Sequence, residues 1–178
     1  VADRVAGLYG GIATFVALRH RECSDGAGQV IDLPLFDPLL SILGPQAAQY
    51  ELTGEIPTRM GSGLHTTAPR NVYCCSDGRH VALSAFMQSM FERLMETIGQ
   101  PGFISDPRFL TNADRVKHAN TLDLVIAEFI ENRSQVENLA IFQDAGVTVG
   151  PVHDVVGLLE DALVRAVSYT PLTLPAKA

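Results

Sequence analysis

Asp3 stands just ahead of the apolar run Val5 to Leu18 and is the residue whose position most invites covalent chemistry. A carboxylate at the start of a helix lies among free backbone N–H groups and near the positive end of the helix dipole, and both hold it ionised. Ionised, it can attack the carbonyl of an acyl thioester, expel the thiolate and form a mixed anhydride, which divides one acyl transfer into two easier steps. Aspartate is also among the commonest N-cap residues, so the same position reads as a cap with no chemistry at all.

A second group of candidates lies in Gly61-Ser62-Gly63-Leu64-His65. The stretch Thr53 to Pro69 around it is broken by glycine and proline and has no periodicity, so it is read as a long loop, and long loops inside compact domains are often functional. Gly61-x-Gly63 resembles a fragment of a phosphate cradle but lacks the third glycine and the strand-to-helix setting. The two glycines read as lid glycines or as ordinary turn residues, and His65 as an active-site or a solvated loop histidine. Other reactive side chains carry less. Cys74 and Cys75 are neighbours in a strand and face opposite sides, which suits packing rather than chelation. His20, His80, His118 and His153 have no metal-ligand spacing, so no metal is expected. Met87, Met90 and Met95 fall at helical spacing and read as core.

The elements that must position these residues follow from periodicity. Residues 5–22 are apolar on nearly every side until Arg19, which predicts a buried helix. Ser24-Asp25-Gly26-Ala27-Gly28 predicts a turn, and Gln29 to Leu33 alternates as a half-buried strand ended by Pro34. Phe36 to Leu52 predicts a helix divided or kinked at Gly44-Pro45. Asn71 to Cys75 and His80 to Leu83, separated by Ser76-Asp77-Gly78, predict a hairpin. Met87 to Gly99 has a helical stripe with Gly99 at its C-terminal end, and Asp106 to Phe109 reads as a turn. The next helix is amphipathic from Asn112 or Ala113 to Asn132. Ser134 with Glu137 forms a capping box for a helix ending at Gly146. Val147 to Val149 reads as a short strand, Gly150-Pro151 as a turn, and His153-Asp154 as the start of a last helix through Leu163. This order argues for an α/β chain, α+β within the stretch itself, with the hairpin region as a small module.

Of 178 residues, 47% are hydrophobic and 19% charged, the range of a folded chain. The net charge of -7, with 13 Lys and Arg, argues against a nucleic-acid partner. The 3 cysteines, Cys23, Cys74 and Cys75, fit no disulfide framework and read as reduced cytoplasmic thiols. The run Val5 to Leu18 is shorter than the roughly 20 residues needed to span a bilayer, so no membrane partner is expected.

Several short motifs, taken in order, resemble the family III CoA-transferases (CaiB/BaiF). They are Ala2-Asp3 with Gly7 and the apolar helix, Arg21-Glu22, Gly28-Gln29-Val30, Leu35-Phe36-Asp37, Tyr50 to Gly54, Met60-Gly61, Ala68-Pro69 with Val72-Tyr73, and Asp77-Gly78. Gln88 with Phe91 and Leu94, Asp106-Pro107-Arg108-Phe109, Asn112 with Arg115, and Gly146-Val147 with Val149-Gly150-Pro151-Val152 continue the series. The resemblance covers about residues 1–166. It implies that Asp3 is the acylated and then CoA-carrying nucleophile, that coenzyme A is a substrate and not a resident cofactor, and that an acyl-CoA and a carboxylic acid are the partners. It further implies that the loop with Gly61, Gly63 and His65 packs near the active site and can cover the acylated aspartate. The family loop often reads Gly-Asn-x-His-Pro, and His65 falls one place from that histidine.

The same resemblance implies a chain that begins partway through a longer protein. Residues 1–52 would be the end of a Rossmann-like, CoA-binding large domain, 53–146 a small domain, and 147–166 a return toward the large one. The intact protein would be an interlaced homodimer, and this stretch alone would be inactive. α-Methylacyl-CoA racemase chemistry on the same scaffold and a noncatalytic binding or dimerisation module are the alternatives. The tail 167–178 has neither helix nor strand period and reads as a non-native addition.

Overall fold

The computed structural model describes residues 1–24 and 26–166. Asp25 of the expected turn and the expected non-native tail, 167–178, lie outside the described residues. The chain divides into two compact units, 1–58 and from Arg59 onward.

In the first unit, α1 (Ala2–Cys23) is one continuous helix, followed by α2 (Phe36–Ile42) and α3 (Gln46–Thr53). The division of the second apolar segment falls where Gly44 adopts a left-handed φ of +66° and Pro45 cannot continue a helix. Two expectations fail here. The helix over 5–22 is not buried: only Ala6 is, while Leu8, Ile12, Phe15 and Val16 are exposed. Within its unit α1 packs against α2, and one short neighbour cannot cover a helix that is apolar all round. Residues 29–33 do not form a strand, because no other segment of the unit pairs with them, and a strand exists only through its ladder.

The second unit is a two-layer arrangement around a three-stranded antiparallel sheet in the order β1-β2-β3. β1 (Arg70–Cys74) pairs with β2 (His80–Ser84) so that Tyr73 faces Val81, and the Asp77-Gly78 turn closes the hairpin with Gly78 at φ +76°. β3 (Thr148–Val152) pairs with β2 through Val81–Pro151 and Leu83–Val149. Gly150-Pro151 is therefore not a turn. It lies inside an edge strand, where a residue without an N–H is tolerated.

Helices α4 (Gln88–Thr97), α7 (Ala119–Glu131) and α8 (Gln135–Asp144) supply the other layer, with α7 against β1 and α8 against β2 and β3. Their inward residues Phe91, Leu94, Met95, Leu122, Ile126, Ile130 and Phe142 are fully buried with Val81. Met87 leaves the expected methionine stripe, because it stands at the N-cap of α4 in extended backbone and is exposed. The short α5 (Gly102–Ser105) links α4 to the Asp106 turn. The amphipathic stretch from Asn112 is two helices, α6 (Asn112–Lys117) and α7, because the backbone leaves helical geometry at His118.

The Ser134–Glu137 capping box closes both ways at the start of α8. At their C-termini α4 and α8 end alike. Gly99 N–H donates to Glu96 O and Gln100 N–H to Met95 O, while Gly146 N–H donates to Gln143 O and Val147 N–H to Phe142 O. These are two Schellman caps with left-handed glycines. The last segment is α9 (Val155–Glu160), capped by Asp154, and α10 (Ala162–Ala166), so the expected single helix breaks at Asp161. No helix among the described residues is long and apolar enough to cross a membrane.

Gly99 has open space where a Cβ would go, so only its φ of +73° opposes a side chain. Gly99→Ala is expected to cost about 1–2 kcal/mol in urea unfolding. Phe91→Ala, which empties a fully buried site, is expected to cost about 3–5 kcal/mol in the same measurement.

Candidate active site

Asp3 is the second residue of α1, and Val1 holds the N-cap position. The carboxylate lies in the first turn, where the helix dipole favours an anion. Asp3 is exposed to solvent. The helix that carries it is braced within its unit. The Tyr9 hydroxyl bonds Ser41 Oγ on α2, and Ser41 Oγ donates to Pro38 O at 2.8 Å. Gly10 faces Leu33 in the segment before α2, where a Cβ would meet Leu33 Cδ2 at 3.4 Å in ordinary contact.

Gly61, Gly63 and His65 belong to the second unit, in the segment between α3 and β1. Gly61 and Gly63 share one turn: Gly63 N–H donates to Met60 O at 3.1 Å, and Gly61 takes a φ of +64° that a side chain would resist. His65 is exposed two residues further on. The turn is tied to the sheet through Ser62, whose hydroxyl donates to Asn71 Oδ1. Asn71 Nδ2 in turn donates to Asp123 Oδ2 at 2.8 Å, and the Tyr73 hydroxyl donates to Asp123 Oδ1 at 2.6 Å. Burial, and then the adjoining Asp123 charge, push the Tyr73 hydroxyl far above its ordinary pKa, so it remains a donor to that carboxylate.

The far limb of the loop, Thr66 to Pro69, is held by α6. Thr111 caps that helix by accepting from Asp114 N–H, which places Asn112 and Arg115 one turn apart on a common side. Asn112 Nδ2 donates to Thr66 O at 2.8 Å, and its Oδ1 accepts from Ala68 N–H at 3.2 Å. Arg115 is 1% exposed. Its Nε donates to Ala68 O at 3.1 Å, Nη1 to Gln88 Oε1 at 2.8 Å and Phe109 O at 3.0 Å, and Nη2 to Phe86 O at 2.6 Å. The guanidinium also lies 4.6 Å from the centre of the Phe91 ring. Burial pulls its pKa down, opposed by the charges of Asp114 and Glu92.

Asn71, Asn112, Arg115 and Asp123 are thus the residues that shape the loop, and spacing alone assigns none of them a role. The signal was indirect: Ala68, Gln88, Phe109, Asn112 and Arg115 all belong to the motif series, and the structure brings these scattered pieces to one guanidinium. A cleft of about 570 Å³ opens elsewhere on this unit, lined among others by Arg79, His80, Gln135, His153 and Asp161. His153 Nε2 lies 3.2 Å from Asp161 Oδ2 there. None of the expected site residues lines it. Among the described residues no group of three or more His, Cys, Asp or Glu could hold a metal ion. Cys75 is buried and its thiol pushed up by that burial, whereas Cys74 is exposed, and neither is in a disulfide.

A profile of CoA-transferase family III matches residues 1–171. The chain belongs to CoA-transferase family III. It is 32% identical over 161 residues to a succinyl-CoA–D-citramalate CoA-transferase of Chloroflexus aurantiacus, covering 90% of this chain and 40% of that protein. It is 29% identical over 161 residues to the alpha subunit of a succinyl-CoA–L-malate CoA-transferase of the same species, covering 90% of this chain and 37% of the relative. The crystal structure of a CaiB/BaiF family protein from Brucella suis superposes with a TM-score of 0.73 at 32% identity, over 93% of this chain and 43% of that one. The mixed helical and antiparallel fold is thus that of a family III transferase, and the chain spans about 40% of the length of these proteins.

The turn that offers Phe109 O to Arg115 is itself set by an ion pair. Arg108 Nη2 lies 2.7 Å from Asp106 Oδ2, and Phe109 N–H donates to Asp106 O. The Arg108 side chain, which donates to both oxygens, holds the Asp106 carboxyl at about 2. A depressed carboxyl stabilises the fold above its unfolded pKa of about 4, and that contribution is lost as pH falls toward 2. Asp106→Asn is expected to make stability less steep between pH 4 and 2, read by acid unfolding, with no change in slope near pH 7.

Proposed function

We propose that this chain carries the nucleophile of an enzyme that moves CoA between an acyl-CoA and a carboxylic acid, with Asp3 as that nucleophile. The observation that carries the reading is the family match across residues 1–171. The exposed carboxylate of Asp3 in the first turn of α1 supports the assignment of the role.

Asp3 attacks the thioester carbonyl, the CoA thiolate leaves, and a mixed anhydride forms. The thiolate then attacks the aspartyl carbonyl, which releases the first acid and leaves an aspartyl-CoA thioester. The acceptor carboxylate attacks that thioester, giving a second anhydride and free thiolate. Attack of the thiolate on the acceptor's acyl carbon yields the new acyl-CoA and regenerates Asp3. In each turnover one Asp3 oxygen leaves with the first acid and one oxygen of the acceptor carboxylate replaces it, and no external oxidant, reductant or metal enters the balance. Coenzyme A is a substrate throughout.

Gly61, Gly63 and His65 are proposed as substrate-contacting loop residues, supported by the family resemblance and by the defined Met60–Gly63 turn. Both named relatives have succinyl-CoA and a dicarboxylic acid in their names. Succinyl-CoA and a short dicarboxylate are therefore the first pair to try. Residues 1–52 are proposed as the end of the CoA-binding domain, 53–146 as the small domain and 147–166 as the return, within a cytoplasmic homodimer. The relatives' names favour transfer over racemisation.

In the full-length protein, Asp3→Asn is expected to lower kcat by about a thousandfold or more while leaving the unfolding transition in place. Retained transfer would overturn the assignment. Incorporation of solvent deuterium at the carbon alpha to the thioester without CoA transfer would point to the racemase instead. The chain alone, incubated with succinyl-CoA, is expected to show no adduct on Asp3 by mass spectrometry.

A further inference from the structure

Arg115 is a buried cation whose hydrogen-bonded acceptors are all neutral. An unpaired buried charge is costly, and it persists only where its donors are satisfied. Three of the acceptors are backbone carbonyls in connecting segments: Ala68 before β1, Phe86 between β2 and α4, and Phe109 in the turn ahead of α6. The fourth is the side chain of Gln88, the first residue of α4. None lies in the middle of a helix or strand. A planar fork with five donors suits this task, whereas a lysine, a point donor on a flexible stem, cannot reach four acceptors around a plane.

We infer that Arg115, with Asn112, is a positioning residue for the substrate loop. The pair fixes the limb Thr66 to Pro69 and thereby the setting of His65 beside it. This rests on the reading of that loop as substrate-contacting. Its two limbs are tied independently, the Gly61–Gly63 turn through Ser62 and Asn71 to Asp123, and the Thr66–Pro69 limb through Asn112 and Arg115. Between them lie only Leu64 and His65, so the tip has little slack. Pro69 O accepts from Ala85 N–H at 3.0 Å, which extends the tie to the end of β2. The role is distinct from that of the core, which is built from α4, α7, α8 and the inner sheet face.

The test is hydrogen exchange on the chain itself, comparing wild type with Arg115→Lys and Asn112→Ala. Exchange at Ala68 and Ala85 is expected to quicken about tenfold or more, as for a local opening, with Gly63 and the α7 and α8 amides unchanged. No change at Ala68 and Ala85, or a uniform change across α7 and α8, would overturn the inference. If Arg115→Lys does not fold, Asn112→Ala decides by the same criteria. In the full-length protein both variants are expected to lower kcat more than they change KM, and to raise the fraction of succinyl-CoA lost to water instead of transferred. Normal kinetics with a loosened loop would contradict the positioning role. A wild-type protein that transfers no CoA would overturn the proposed function, and the exchange result would still decide whether Arg115 and Asn112 hold the loop.

Discussion

A single guanidinium organises the irregular part of the second unit. The regular elements there hold together by apolar burial between sheet and helices, but the connections before β1, after β2 and before α6 have carbonyl groups that neither layer satisfies. Arg115 takes one from each of these connections, and Phe91 supplies an aromatic face beneath the charge. Hydrogen bonds to charged groups are worth more than neutral ones, and a carbonyl left without its partner costs more than the bond itself contributes. The three connections are therefore fixed together. Asn112, one turn earlier on the same helix, uses both ends of its amide on the adjacent limb.

The parts of this fold that were legible in the sequence are those decided within a few residues. The Asp77-Gly78 hairpin, the Ser134–Glu137 capping box, and the glycines that end α4 and α8 are local devices, and each stands where its residues predict. What failed depends on partners far along the chain. Residues 29–33 alternate correctly for a strand, yet no described segment pairs with them. Gly150-Pro151 has turn residues, yet an edge position beside Val81 admits them to a strand. The apolar circumference of α1 predicts burial, yet α2 is too short to provide it within its unit. Arg115 could be placed in a motif but not given a role, because three of its four acceptors are backbone carbonyls up to 47 residues away, which any residue type can supply.

An aspartate in a helical first turn is common, and its geometry alone does not distinguish a nucleophile from a surface charge. Membership in CoA-transferase family III across almost the whole chain changes the weight of that one carboxylate. The exposed position of Asp3 in the first turn of α1 is compatible with repeated acylation, since no buried ion pair has to be broken for it to react.

The most direct measurement is of where oxygen goes. The full-length protein turned over with succinyl-CoA and an acceptor dicarboxylate labelled with oxygen-18 should acquire label in the Asp3 carboxylate, found by mass spectrometry of the peptide that contains it. Each turnover through two anhydrides passes one acceptor oxygen to the aspartate. Transfer of CoA with Asp3 left unlabelled would contradict the assignment of Asp3 as the nucleophile.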